Sequence, residues 1–397
     1  WMQIEDKGEW QGLATLPETL TGLGYRSHIV GKWHNGRKSL LRSFSFGSSV
    51  FLGGMTNHLE VPLVELRNGD LENHRVAKGF SSAMFAEAAV EFLQQEQKDP
   101  FFLYVAFTAP HDTRNPPEAY RQKYYEKDLP LPANLLPVHP FDNGLLSPVY
   151  RDENLAPWPR PPEMIRDQIA EYYGLITHLD EQVGRVLEAL DESPHAGETY
   201  VIFTSDHGLA LGRHGLMGKQ SLYEHSMRTP LVVRGPGVPA DGSSEAFVYL
   251  HDLFPTVVGL AGGNVEMAPG VADLSSLWSG GEKKVRDTLF MGFQRQIRSI
   301  RDERWKLLEY PQINHRQLYD LENDPDEMRN LANQPEHEST IRRLTASMKG
   351  WQQMLGDDQP LVSETPKGKS YDHTKFVQKR DRWQPDWIYE KYFRSKD

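Results

Sequence analysis

The run Phe101-Phe-Leu-Tyr-Val-Ala-Phe107 restricts the fold of this chain more than any other segment. Its residues leave no polar face, so a strand built from them is expected to be covered on both sides, as in a parallel sheet between helix layers. Pro100 ends the segment before it, where Met84, Ala88 and Phe92, with Phe85 and Ala89 beside them, give residues 83–97 one broad apolar helical face. Thr199-Tyr-Val-Ile-Phe203 and Pro230-Leu-Val-Val233 repeat the buried-strand pattern, and Tyr25 to Val30 reads as a further short strand. A long amphipathic helix is expected where Ile165, Ile169, Tyr172, Ile176, Leu179, Val183, Val186 and Leu190 recur at three and four, and another from Asp252 to Leu260. Thr15-Leu-Pro-Glu18 is a capping box that opens a short helix before Gly22.

After about Gly280 the rhythm changes to short segments joined by polar turns: 288–293, 296–300, 305–310 and 317–319, then a helix from about Glu338 to Met354. That pattern predicts an antiparallel meander with a helix against it. The expected organisation is a large α/β unit over residues 1–280 and a smaller α+β unit over 281–397. The latter ends in a polar tail carrying Trp383, Trp387, Tyr389, Tyr392 and Phe393. The proline-rich stretch 129–162 reads as a surface excursion near a site, not a linker.

Composition removes several classes of function. No apolar run approaches the roughly 18 residues of a membrane span. With 55 acidic against 44 basic side chains the net charge is −11, which argues against nucleic acid as the main partner. The absence of cysteine excludes disulfides, thiolate metal sites and a cysteine nucleophile within these residues.

Chemistry gathers where predicted strands end. Strand 25–30 leads to Lys32 and His34, strand 101–107 to His111, Asp112 and Arg114, and strand 199–203 to Asp206 and His207, with His214 and Lys219 close behind. Ligands of open α/β sheets bind at carboxyl strand ends, so these distant residues can converge. Adjacent Asp206 and His207 could reach one cation, the two lysines offer point charges for a tetrahedral oxyanion, and the histidines can donate or move protons. Taken singly, Ser-Asp-His-Gly also fits a capped turn, and Lys-Trp-His surface packing.

The motifs then carry a resemblance. Gly24-Tyr25 with Gly31-Lys-Trp-His34, Ala109-Pro-His-Asp-Thr-Arg114, Ser205-Asp-His-Gly208, Gly212-Arg-His-Gly215, Gly218-Lys219, Tyr223-Glu224 and Arg228-Thr-Pro230 resemble, in order, segments of the type I sulfatases. Trp305-Lys306-Leu-Leu, Leu318-Tyr-Asp-Leu-Glu-Asn-Asp-Pro325 and Asn330-Leu331 resemble the C-terminal segment of the same family. The resemblance implies an alkaline-phosphatase-like α/β sandwich with a large mixed, mostly parallel sheet flanked by helices, plus a smaller C-terminal antiparallel sheet. It implies sulfate-ester hydrolysis, with Lys32, His34, His111 and Lys219 around the sulfate and Asp206 and His207 as ligands of one divalent cation, usually calcium, with manganese or magnesium as alternatives. His214 and Arg114 would line the site or stand behind it. A periplasmic or secreted location also follows from the resemblance.

Two features depart from the family pattern. Asp206-His207 stands where many sulfatases have Asp-Asn, as in related phosphodiesterases and phosphonate monoester hydrolases that use transition metals. The Cys/Ser-x-Pro-x-Arg segment that yields the formylglycine nucleophile, and an upstream pair of metal-binding aspartates, are absent; Ser147-Pro-Val-Tyr-Arg151 has its proline in the wrong place. The nucleophile segment is expected ahead of Trp1; the alternative is a natural glycan-binding protein without it. The expected substrate is a sulfated carbohydrate, met by loop residues Asn57 and His58 and by Gln294, Arg295 and Arg298, although these arginines also fit solvated strand positions.

Overall fold

The computed structural model describes residues 13–146, 150–281, 283–376, 381 and 384–393. Trp1, Trp383 and the Ser147-Pro-Val part of the proline-rich segment lie outside the described residues.

Helix α1 (Leu16–Gly22) opens on the expected capping box: Thr15 Oγ1 accepts from the Glu18 amide, and the Glu18 carboxylate accepts the Thr15 amide. It leads into β1 (Arg26–Trp33), α2 (Arg37–Ser43), β2 (Phe46–Leu52), β3 (Glu60–Arg67), β4 (Asp70–Lys78), α3 (Ser81–Gln94) and β5 (Phe101–Ala106). The five strands form one sheet in the order β4-β3-β2-β1-β5. Strand β1 runs parallel to β2 and β5, whereas β2–β3 and β3–β4 are antiparallel. The sheet is therefore mixed in equal parts and not mostly parallel, because an antiparallel hairpin extends one side. Asn68 and Gly69, both at positive φ, make the two-residue turn of that hairpin.

Successive residues of β1 serve opposite faces, as the pleat requires. Val30 packs with Phe51, Leu63, Phe85 and Ala89 on one side, Ile29 with Leu40, Phe44, Val50 and Leu66 on the other. Gly31 sits at φ +90°, and a Cβ there would lie 2.2 Å from the Ala106 carbonyl oxygen. Only glycine permits β5 to approach so closely at the bulge where the β1–β2 register shifts.

Helix α4 (Glu118–Tyr125) precedes the proline-rich excursion, and α5 (Pro162–Asp191) is the long amphipathic helix. Strand β6 (Val201–Thr204), α6 (Glu224–Met227) and β7 (Leu231–Arg234) follow, then α7 (Leu253–Leu260) and α8 (Ser275–Trp278). Strands β6 and β7 pair with each other, antiparallel. The runs 101–107 and 199–203, expected to be buried on both faces, are only half-buried: among the described residues β5 is a sheet edge and β6 pairs with β7 alone, and Tyr104 and Phe203 are 41% and 43% exposed.

The C-terminal meander is β8 (Leu289–Phe293), β9 (Ile297–Arg301), β10 (Trp305–Tyr310) and β11 (His315–Asp320), antiparallel in the order β11-β10-β9-β8. Helix α9 (Glu338–Leu355) lays Ile341, Leu344 and Met348 on Ile300, Leu307 and Leu318. One core cluster joins this sheet to the larger unit, with Phe141, Leu216, Leu222 and Tyr223 against Ile297, Leu308 and Tyr310. The last described element of the tail is α10 (Asp386–Tyr392), whose Ile388 is buried among Met164, Ile165, Ile169 and Met217, with Trp387, Tyr392 and Phe393 packed around it. No helix among the described residues is long and apolar enough to cross a membrane.

Candidate active site

Lys32 belongs to β1, which continues past the predicted end at Val30, so the lysine is held by strand pairing as well as by its packing. Its ammonium is half-buried. Burial lowers its pKa, Asp206 and Asp112 work against that shift, and Lys219 reinforces it. His34 follows at the rim, its ring against Gly54, where any Cβ would fall 2.5 Å from the imidazole. Burial and the charges of Lys32 and Lys219 lower its pKa.

His111 follows β5. Its Nε2 lies 3.1 Å from Nζ of Lys219, and its Nδ1 lies 2.9 Å from the Asp112 carbonyl oxygen. An ammonium can only donate, so Lys219 donates to Nε2 and the Nδ1 proton goes to the carbonyl. Burial lowers the His111 pKa; Asp112 opposes this, and Lys219 and Lys32 add to it. Burial also works against the charge of the Asp112 carboxylate, but Arg114, His111 and Arg151 outweigh it and hold that carboxyl well below the usual range.

The strand ends thus bring Lys32, His34, His111 and Lys219 within electrostatic reach of one another. Half-buried cations in such a group repel, and a tetrahedral oxyanion would offset that repulsion. Asp206 and His207 face the same group: the Asp206 charge acts on Lys32, and that of Lys219 on His207. The Asp206 carboxylate is exposed, with Oδ2 3.4 Å from His207 Nε2, while His207 Nδ1 pairs with the Gly208 carbonyl at 3.1 Å. That backbone bond leaves Nε2 with its lone pair, the arrangement an imidazole ligand needs. A carboxylate oxygen and a ring nitrogen fit part of a divalent-cation site; among the described residues no group of three such ligands occurs.

Other residues predicted at the site stand elsewhere. His58 is buried behind His111, with Nδ1 on Ser81 and Thr108 and Nε2 3.1 Å from the His111 carbonyl oxygen, so it braces that loop and is not presented to a ligand. His214 is buried flat against Tyr223, ring centroids 4.0 Å apart, with Nε2 on Asn134. Arg114 is buried too, donating to Gln168 and paired with Asp112 at 3.7 Å. Asn57 uses its side-chain oxygen to cap the Leu59 amide in a turn. Arg295 is exposed on the β8–β9 turn, Gln294 beside it accepts from the Tyr150 hydroxyl, and Arg298 is buried against Asp357.

Glu153, Arg160 and Glu327, which the motifs did not announce, pair with residues around the site, among them the motif residues Glu224 and Lys306. The buried Glu153 carboxylate, paired with Arg160, accepts the Met217 and Gly218 amides immediately before Lys219. Lys306 is fully buried between Glu224 and Glu327, 2.9 Å from each, and the Glu327 carboxylate also accepts the Glu224 amide. Short runs such as Arg-Asp-Glu carry no periodic signal, and their partners are remote in sequence.

Known proteins share this architecture. The family model for Sulfatase matches residues 1–263, and that for the N-sulphoglucosamine sulphohydrolase C-terminal region matches residues 212–354. The multifunctional alkaline phosphatase superfamily protein PehA of Trinickia caryophylli is 28% identical, over 70% of this chain and 60% of its own length. The N-acetylglucosamine-6-O-sulfatase of Bacteroides thetaiotaomicron is 24% identical over 88% of this chain and 74% of its own. A solved structure in complex with its substrate, D-glucosamine-2-N,6-O-disulfate, superposes with a TM-score of 0.75 at 22% identity, covering 90% of this chain and 84% of that one. The chain spans about 60% of the length of the first curated relatives it matches. Matched over most of its residues by the family model, with the α/β and antiparallel-sheet architecture of solved relatives, the chain belongs to the sulfatase family of the alkaline-phosphatase-like superfamily.

Proposed function

We propose that the complete protein hydrolyses sulfate esters of a sulfated carbohydrate. The observation that carries this reading is the pair of cations Lys32 and Lys219, gathered with the imidazoles of His34 and His111 beside an exposed Asp206 and His207. Lys32 and Lys219 hold the sulfate oxygens and offset charge that grows in the transition state. His111, neutral and fixed by the Asp112 carbonyl, orients the Lys219 ammonium through Nε2, and His34 at the rim handles the proton of the leaving oxygen. Asp206 and His207 would hold a divalent cation, calcium or a transition metal, which supplies further charge offset when bound. The nucleophile is a formylglycine from a Cys/Ser-x-Pro-x-Arg segment that these 397 residues do not contain. The carbohydrate assignment is supported by relatives that act on, or bind, sulfated glucosamines.

A second reading has its own observation. His207 would offer a nitrogen ligand where calcium prefers oxygen, and one relative is a multifunctional protein of the alkaline phosphatase superfamily. Initial rates of the complete, metal-loaded protein on glucosamine 6-sulfate and on an aryl phosphodiester separate the two. Faster sulfate release supports the sulfatase; a faster phosphodiester rate overturns it.

A further inference from the structure

The turn Arg151–Leu155 meets the candidate site through three consecutive side chains. Arg151 donates through Nη1 to the Asp112 carboxylate, whose other oxygen lies 3.7 Å from His111 Nδ1. Asp152 accepts from Gln220 Nε2 at 3.0 Å, and the Gln220 side-chain oxygen accepts the Lys219 amide at 3.2 Å. Glu153 accepts the Met217 and Gly218 amides at 3.1 and 3.0 Å. One turn therefore grips both the loop that carries His111 and the loop that carries Lys219.

The turn is itself fastened by the C-terminal tail. Asp381 receives the Arg151 fork, Nε on one carboxylate oxygen and Nη2 on the other at 2.8 Å. The tail is anchored before and after this point. Tyr371 donates to the His139 carbonyl oxygen, and Gln384 donates to the Leu155 carbonyl oxygen at 2.6 Å. Ile388 is buried against α5, and Lys391 pairs with Asp167. A bidentate fork fixes the guanidinium plane as a single charge would not. The Arg151 side chain is about three-quarters buried, so the fork also keeps its remaining donor aimed at Asp112.

We propose that the Arg151–Glu153 turn, locked by Asp381 of the C-terminal strap, is a positioning device that sets His111 and Lys219 at their 3.1 Å separation. Arg151 and Asp381 touch no substrate in this scheme; they act through Asp112 and through the amides before Lys219. The proposal rests on the sulfatase reading for its consequence in turnover, but its geometry can be tested without turnover. His111 faces Asp112, Lys219, Lys32 and, through its carbonyl, His58. Removal of the Arg151 charge leaves Arg114 as the arginine still facing Asp112, so the carboxylate acts more strongly on the imidazole.

The experiment uses the complete protein and its Arg151→Ala, Asp381→Ala and Asp381→Glu variants. Histidine-selective NMR should show the His111 midpoint rising by about half a unit or more in Arg151→Ala. Amide exchange at Met217, Gly218 and Lys219 should quicken at least tenfold in Asp381→Ala and return toward wild type in Asp381→Glu. In turnover, Asp381→Ala should lower kcat about tenfold with KM little changed, as expected when a transition-state contact is misplaced. Should Asp381→Ala fail to fold, the near-isosteric Asp381→Asn replaces it. An unmoved His111 midpoint together with unchanged exchange at 217–219 overturns the proposal. Absence of sulfate-ester turnover in the wild type would instead overturn the functional reading, with the NMR and exchange results still deciding the positioning role.

Discussion

The Lys219 ammonium stands 3.1 Å from Nε2 of His111, although the two residues are 108 positions apart in the chain. A protonated His111 could not accept from that ammonium, so the contact and the neutral imidazole require each other. Replacement of either residue by Ala in the complete protein should lower kcat/KM on a sulfate ester about 100-fold or more, the usual loss when one preorganised oxyanion donor, here the Lys219 ammonium that His111 orients, is removed or misplaced. Both side chains are partly exposed, so the melting temperature should hardly change. Steady-state kinetics with thermal melting checks both parts.

Gly31 places Lys32. At φ +90°, with the Ala106 carbonyl oxygen 2.2 Å from any Cβ, Gly31→Ala should destabilise the fold by about 2–5 kcal/mol through strain and overpacking. Urea unfolding measures the loss, and a variant as stable as wild type would show that β5 can withdraw.

Lys306 ties the C-terminal sheet to the segment after Lys219. It is fully buried between Glu224 and Glu327, and Arg301 shares Glu224. Lys306→Met should cost about 3–5 kcal/mol, because Glu327 would remain buried without its cation. Lys306→Met/Glu327→Gln should recover part of that loss, as read by chemical denaturation.

Stability should fall in mild acid. Burial, reinforced by Arg26, holds His28 at about 4, and burial holds His139 at about 3, against an ordinary value near 6.5. Unfolding lets both take up protons below pH 6.5, so their contribution is complete above that pH. It is lost progressively as pH falls toward 4 for His28 and 3 for His139, with an upper bound of about 3 kcal/mol for His28. Melting temperature against pH should be flat from 7 to 8 and decline below 6, and His28→Gln should shallow that decline.

The strand ends that lead to Lys32, His111 and Asp206 were legible because each lies just beyond or within an apolar run, where polar residues stand out, whereas Lys219, in the loop after β6, was marked only by its Gly-Lys motif. The surroundings of those runs were not. The residues of Phe101–Phe107 show that a strand is apolar, but not which strands lie beside it, so the exposure of Tyr104 could not be read. The hairpin β3–β4 was missed although Asn68-Gly69 is a strong two-residue turn signal between alternating residues. His58 and His214 share their residue type with His34 and His111, and only packing shows that the first two are buried as braces. Arg151 gave no usable sign, because Asp381, its partner, lies 230 positions away.

The central claim is that Lys32, His34, His111 and Lys219 form an oxyanion site, and titration of inorganic sulfate into the 397-residue chain at constant ionic strength tests it directly. The account predicts saturable one-site binding that is lost in Lys32→Ala/Lys219→Ala, while the fold of that variant is retained by circular dichroism. Equal sulfate affinity in the double variant, or no saturable binding to the wild type, would contradict it.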